Sequence, residues 1–204
     1  MRIYPLKSSS SVYTCNSYLI LGDWNRLEDI NCLVDVGTDG SIAEVIRGMS
    51  TGFGKRSVEQ VICTHNHFDH VGGLQRFHQE YQPEVFAFTS FPGVTATLRH
   101  GQLIRCGDEY FEVIHVTGHS NDSICLYCPS GGVLFSGDTP LTVKTPGGSY
   151  SAVFEKQLED LAARNVEIIY PGHGDIIEYR AKEMIRETLR NVRDSHMHYG
   201  EEPE

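Results

Sequence analysis

The sequence has no apolar run approaching the ~20 residues that a membrane-spanning helix needs. Residues 1–7, followed by serines at 8–11, lack the continuous apolar stretch of a secretory leader. Both absences set the expectation of a cytoplasmic protein. Positive charge is also scarce: 17 Lys and Arg stand against 27 Asp and Glu, a net charge of −10. That balance removes long-range attraction to nucleic acid or to an anionic membrane surface, so neither is expected as a partner. No internal repeat of fixed period is present, and no low-complexity tract beyond the serines at 8–11.

A cysteine-based site is missing too. The six cysteines are Cys15, Cys32, Cys63, Cys106, Cys125 and Cys128. Most sit inside apolar runs such as Asn31-Cys32-Leu33-Val34 and Val61-Ile62-Cys63-Thr64, and read as small core hydrophobes of a reducing compartment. Cys125-Leu126-Tyr127-Cys128 has C-x-x-C spacing. It lies in a predicted strand, however, where residues three apart face opposite sides, and no second pair completes a site.

What is present is 204 residues, 40% hydrophobic and 22% charged. That suits one domain, residues 1–204, with a substantial core. Short apolar runs predict strands at 17–21, 32–36, 58–63, 85–88, 110–117, 123–128, 133–135 and 166–170. Helical spacing appears at 42–49, 71–81, 154–164 and 178–196. The mixture of strand–strand and strand–helix connections implies an α/β sandwich. A Pro- and Gly-rich loop is expected at 139–151, and long loops beside a site are often functional. The tail at 200–204 reads as frayed.

The densest chemistry is Thr64-His65-Asn66-His67-Phe68-Asp69-His70. Four metal-competent side chains fall within six residues, in the order His-x-His-x-Asp-His. Imidazoles and a carboxylate suit a zinc-like ion, and these are more donors than one ion draws from a single loop. Gly118-His119, Gly137-Asp138 and Pro171-Gly172-His173 each follow a predicted strand, as the first motif does. Loops at strand ends of a rigid sheet are where α/β proteins place binding groups. Seven side chains could therefore converge: His65, His67, Asp69, His70, His119, Asp138 and His173. Three imidazoles plus an anion suit one metal. Two imidazoles plus two carboxylates suit a second, if one carboxylate is shared.

Other histidines read differently. His78, His100, His196 and His198 are taken as structural or exposed, and His115 as a satisfied inner histidine. For Tyr13, Lys144 and Tyr150, lining a pocket and lying on plain surface stand level.

With these motifs in this order, the chain resembles the metallo-β-lactamase-fold superfamily from about Tyr18 to His173. The resemblance implies a four-layer αββα sandwich. It implies two divalent metal ions, zinc by preference with iron or manganese as options. His65, His67 and His119 would hold the first, Asp69, His70 and His173 the second, and Asp138 would bridge them. His67 stands where oxygen-reducing diiron members carry an acidic residue. Asp138 and the absence of a leader set the chain apart from the secreted antibiotic-degrading enzymes. Nuclease branches add basic arms or an inserted domain, and this acidic chain has neither.

Phe135-Ser136-Gly137-Asp138-Thr139 and Tyr170-Pro171-Gly172-His173-Gly174 look most like the glyoxalase II group. Two departures stand out. Thr117 replaces a proline common before the third motif. One helix and a tail follow His173, where glyoxalase II proper carries a basic helical region that binds glutathione. The implied activity is hydrolysis of a thioester, ester or lactone in a small molecule by a metal-bound hydroxide, with Asp69 orienting that hydroxide as a catalytic residue. Two alternatives are a single-iron persulfide dioxygenase and a metal-binding module without catalysis.

Overall fold

The computed structural model describes residues 1–7 and 11–198. Residues 8–10 of the serine tract and the tail at 200–204 lie outside the described residues, as do the side chains of His196 and His198.

Two mixed sheets face each other. The first has the order β1 (Arg2–Leu6), β2 (Ser17–Leu21), β3 (Cys32–Val34), β4 (Gln60–Ile62), β5 (Glu84–Ala87) and β6 (Ala96–Thr97). In the second, β11 (Ile168–Pro171) forms one edge, followed by β10 (Val133–Gly137), β9 (Ile124–Cys128), β8 (Glu109–His115) and β7 (Leu103–Cys106). Helices α1 (Ile42–Arg47) and α3 (Leu74–Glu80) cover the first sheet, and α4 (Ala152–Ala162) and α5 (Ala181–His198) cover the second.

The near-continuous apolar strands follow from burial on both faces. In β2 every residue is buried. Tyr18 and Ile20 point into the core between the sheets, while Leu19 and Leu21 point at the helices. β9 repeats this: Leu126 and Cys128 face the other sheet, and Cys125 and Tyr127 face α4 and α5. The two cysteines of the C-x-x-C thus lie in different cores. Three cores separate four layers, which is the αββα sandwich. A fully buried Leu or Phe contributes ~1.5–3 kcal/mol, so cores of this extent can carry buried charge at a sheet edge.

Some elements differ from the sequence expectation. β1, with Pro5 on an edge strand where a missing N–H is tolerated, was not signalled by periodicity. Nor were β6, two residues long, and β7. The helix expected at 71–81 is two helices, α2 (Phe68–Val71) and α3, parted at Gly72-Gly73. Both glycines meet the 36–40 backbone too closely for a side chain: a Cβ on Gly72 would lie 2.2 Å from the Thr38 oxygen. Asp69 and His70 therefore sit in a turn of helix rather than in a loop. Residues 139–151 are irregular, as expected. Among the described residues, no helix is long and apolar enough to cross a membrane.

Candidate metal centre

β8 is antiparallel to β9, β9 to β10, and β10 is parallel to β11, so β8, β10 and β11 run in one direction. The segments carrying His119, Asp138 and His173 leave these strands at one edge of the second sheet. The His65–His70 segment leaves β4 of the first sheet. The two edges are tied where the Ile124 N–H donates to the Thr64 carbonyl at 2.8 Å. Gly172 N–H to the Gly137 carbonyl at 2.8 Å and Asn16 N–H to the Gly172 carbonyl at 2.7 Å fix the last segment.

All seven expected side chains come together. Donor atoms of His65, His67 and His119 lie within 4.8 Å of one another, and so do those of Asp69, His70 and His173. His67 Nδ1 and His119 Nε2 are 3.0 Å apart. His173 Nε2 is 3.0 Å from Asp69 Oδ2. Asp138 sits between the groups: its Oδ2 is 3.5 Å from His119 Nε2 and 3.5 Å from His173 Nε2, and its Oδ1 is 3.3 Å from His70 Nε2. A glycine at 172 is compulsory here, because a Cβ would lie 2.2 Å from Asp138 Oδ1 and 2.8 Å from His70 Cε1.

Behind His70 lies a network that sequence reasoning missed. Asp35 is buried and accepts three hydrogen bonds of 2.8 Å, from His70 Nδ1, the Thr64 N–H and the Thr64 hydroxyl. Fixing the outer nitrogen of an imidazole in this way leaves Nε2 to face the cluster. Cys15 lies within 4.8 Å of donors on Asp35 and His70, and burial pushes its thiol pKa up. The signal for Asp35 was present: a carboxylate inside the apolar run at 32–36 demands a buried partner. Its φ of 57° is one that Asp and Asn tolerate better than most residues.

The donors fit a metal. His65 Nε2, His70 Nε2 and Asp138 Oδ1 are buried without a hydrogen-bond partner, although the last two are close. A buried unsatisfied polar atom costs ~1–3 kcal/mol, and cations bound at these atoms would remove that cost. Burial, helped by His70, lowers the His65 pKa to about 4, and burial also lowers that of His119, so both present free lone pairs at neutral pH. Burial opposes charge on His70, but Asp35 and Asp138 outweigh it and push its pKa up. Burial likewise opposes charge on Asp138, but His70, His173 and His65 pull it down to about 2. A proton on His70 Nε2 holds the lone pair that a metal would take, so binding there would release it.

The undecided residues separate. Tyr13 stacks on His173, with ring centres 5.0 Å apart, and its hydroxyl is 3.3 Å from both ring nitrogens. Lys144 lines a different hollow, with Met184 and Glu187, and Tyr150 packs on Phe154. His115 stacks on Phe88 and bonds the Asn121 carbonyl at 2.8 Å, and His78 bonds the Gly93 carbonyl at 2.8 Å. Both are partnered away from the cluster.

The metallo-beta-lactamase superfamily model matches residues 11–90 and 82–173. The chain belongs to this superfamily. One curated relative is a protein of Schizosaccharomyces pombe named probable hydroxyacylglutathione hydrolase. It is 30% identical to this superfamily member, over 78% of this chain and 64% of its own length. An atrochrysone carboxyl ACP thioesterase of Aspergillus fumigatus is 25% identical, over 92% of this chain and 48% of its own length. The chain thus spans about half to two thirds of such relatives. Among solved structures, a metallo-beta-lactamase family protein from Thermus thermophilus has a TM-score of 0.70. It is 18% identical and is matched over 94% of this chain and 79% of its own. It shares the superfamily's fold.

Proposed function

We propose that this protein is a metal-dependent hydrolase cleaving a thioester, ester or lactone of a small molecule, within one domain spanning residues 1–204. The observation that carries the reading is Asp138 placed between two complete donor groups. His65, His67 and His119 would hold one divalent ion, Asp69, His70 and His173 a second, and Asp138 both. Nitrogen and oxygen donors of this kind suit zinc, and also iron or manganese. When bound, such ions lower the pKa of water from 15.7 to about 7 and polarise a carbonyl.

The chain's own residues supply the rest. Asp69 faces the centre beside His173 and would accept a hydrogen bond from the attacking water, fixing its direction. Asp35 holds His70 in one tautomer and orientation. The cavity beside His119, Asp138 and His173 would seat the ester. Relatives named probable hydroxyacylglutathione hydrolase and atrochrysone carboxyl ACP thioesterase support hydrolysis of an acyl bond. The acidic balance supports a small molecule rather than nucleic acid as substrate, and cytoplasm remains the proposed location.

Metal analysis of the purified protein, run beside a panel of thioesters, lactones, β-lactams and phosphodiesters, tests this. Two ions per chain and turnover of a thioester, ester or lactone are expected, with loss of both metal and activity in His67→Ala. Full activity and metal content in that variant would show the site to be elsewhere. One iron per chain with oxygen uptake on a persulfide would replace hydrolysis by oxidation.

A further inference from the structure

We infer that Asp122 is a positioning residue for the first metal group, linking the backbone that carries His65 and His67 to the backbone that carries His119. The inference rests on the metal-centre reading and goes beyond it, because Asp122 is not one of the seven donors. Asp122 Oδ2 accepts from the Asn66 N–H at 2.9 Å, and its Oδ1 accepts from the Ser120 hydroxyl at 2.7 Å. Asn66 lies between His65 and His67, and Ser120 follows His119. One carboxylate thus reaches to within a residue of all three imidazoles. The Thr89 hydroxyl, 3.4 Å from Oδ2, adds a longer contact from the segment after β5. Burial opposes charge on Asp122, but the bonds from Ser120 and Asn66 outweigh it and push its pKa down. Hydrogen bonds to an ionised acceptor are roughly twice as strong as neutral ones.

The three imidazoles need such a link because their rings are not gripped from behind. His70 has its outer nitrogen held by Asp35. Among the described residues, no hydrogen bond from outside the donor cluster reaches the ring of His67 or of His119, and both residues are exposed. Each ring therefore follows the backbone that carries it. Those backbones belong to different sheets: residues 65–67 leave β4, and the turn at 116–123 joins β8 to β9. The turn is closed on itself, with the Ser120 N–H on Ser123 Oγ at 3.2 Å and the Val116 N–H on the Ser123 carbonyl at 2.9 Å. These bonds fix its shape and not its distance from the first sheet. That distance is set at the bond from Ile124 to Thr64 and, beside the imidazoles themselves, at Asp122. Metal–ligand distances are held to about 0.2 Å, so a small slip of one segment against the other weakens binding.

The test is cobalt(II) titrated into metal-free protein, followed by calorimetry and by visible absorption. His67→Ala and His173→Ala identify which binding step belongs to which group. Asp122→Ala is expected to weaken the first group's ion ~10- to 100-fold and to change its absorption, with the second group's ion unmoved. The variant should fold, because Asn66 is exposed to water and Ser120 keeps Ser123 Oγ as a partner at 2.6 Å. Chemical denaturation of the metal-free protein checks this. Asp122→Asn can accept from the Asn66 N–H and donate to the Ser120 oxygen. It keeps the link without the charge, and should bind the first ion closer to wild type than to the alanine variant. Should the alanine variant not fold, Ser120→Ala cuts one of the two bonds and is expected to weaken the first ion alone. An unchanged first step, or equal weakening of both ions, overturns the inference and leaves the metal centre standing. An asparagine variant as weak as alanine also overturns it, since charge and not placement would then be at work. Wild-type protein that binds no cobalt, or binds it undiminished in both histidine variants, overturns the metal-centre reading and the inference with it.

Discussion

His65, His67 and His119 meet near the surface, with His67 and His119 exposed, whereas Asp69, His70 and His173 reach into a buried network. The first group has two histidines two residues apart and a third across the sheet edge; the Thr64 hydroxyl lies 3.1 Å from His65 Nδ1, and the part-buried Asp122 joins the two segments by accepting from the Asn66 N–H at 2.9 Å and the Ser120 hydroxyl at 2.7 Å. The second depends on Asp35, on Thr64 and on the short helix that the Gly72-Gly73 contact with the 36–40 loop ends. Related donor sets, three imidazoles against two and a carboxylate, are thus supported in two ways, by a carboxylate that joins two backbone segments on one side and by one that holds a buried imidazole directly on the other. Disturbing the buried network should therefore separate the two halves.

The largest separation is expected from Asp35→Ala. It strands the Thr64 N–H, the Thr64 hydroxyl and His70 Nδ1, and breaking a buried charged pair costs ~3–5 kcal/mol. Chemical denaturation should show that loss, and metal analysis should show one ion retained by the outer group. Asp35→Asn, which keeps an acceptor and tolerates the backbone angle, should lose less. A change in stability below ~1 kcal/mol in the alanine variant would mean the two groups are equally self-sufficient. Gly172→Ala comes next. Its methyl would collide with Asp138 and His70, and overpacking of this kind costs ~1–3 kcal/mol. Because it displaces the shared carboxylate, it should weaken both ions together, and loss of one ion alone would remove Asp138 from its proposed bridging place.

The smallest effect is expected from Tyr13→Phe. The hydroxyl beside His173 is a single, exposed partner, so its removal should weaken the second ion by ~0.5–1.5 kcal/mol, or about 2- to 10-fold in affinity. Calorimetric titration of metal into the apo-protein would measure it. An unchanged affinity would reduce Tyr13 to a stacking contact.

The legible parts of this molecule are those that repeat or cluster. β9 and, after Ser17, β2 announce themselves because burial on both faces makes their sequences continuously apolar. The seven donors stand out because metal-competent residues are rare, and here each set follows a strand. Asp35 is harder to read, since its role exists only where residues 35, 64 and 70 meet in space. β6 is too short to show a period, β7 is half exposed and carries Arg105, and β1 is broken by proline. The break at Gly72-Gly73 reflects a contact with a distant loop, which helical spacing at 71–81 cannot reveal. Tyr13 and Lys144 look equivalent in sequence. Only the placement of the two loops puts one against His173 and the other in a separate hollow.

The donors come from both sheets, and this has a mechanical consequence. Asp69 and His70 belong to the first sheet's edge, and His173 lies about a hundred residues later at the second's. An ion gripping all three would act as a clasp across that span, and closing a loop of this length with a covalent bond is worth about 4.7 kcal/mol in chain entropy. The same ion that serves chemistry would fasten the halves of the sandwich to each other. Chelation should then loosen the whole molecule and not merely silence it.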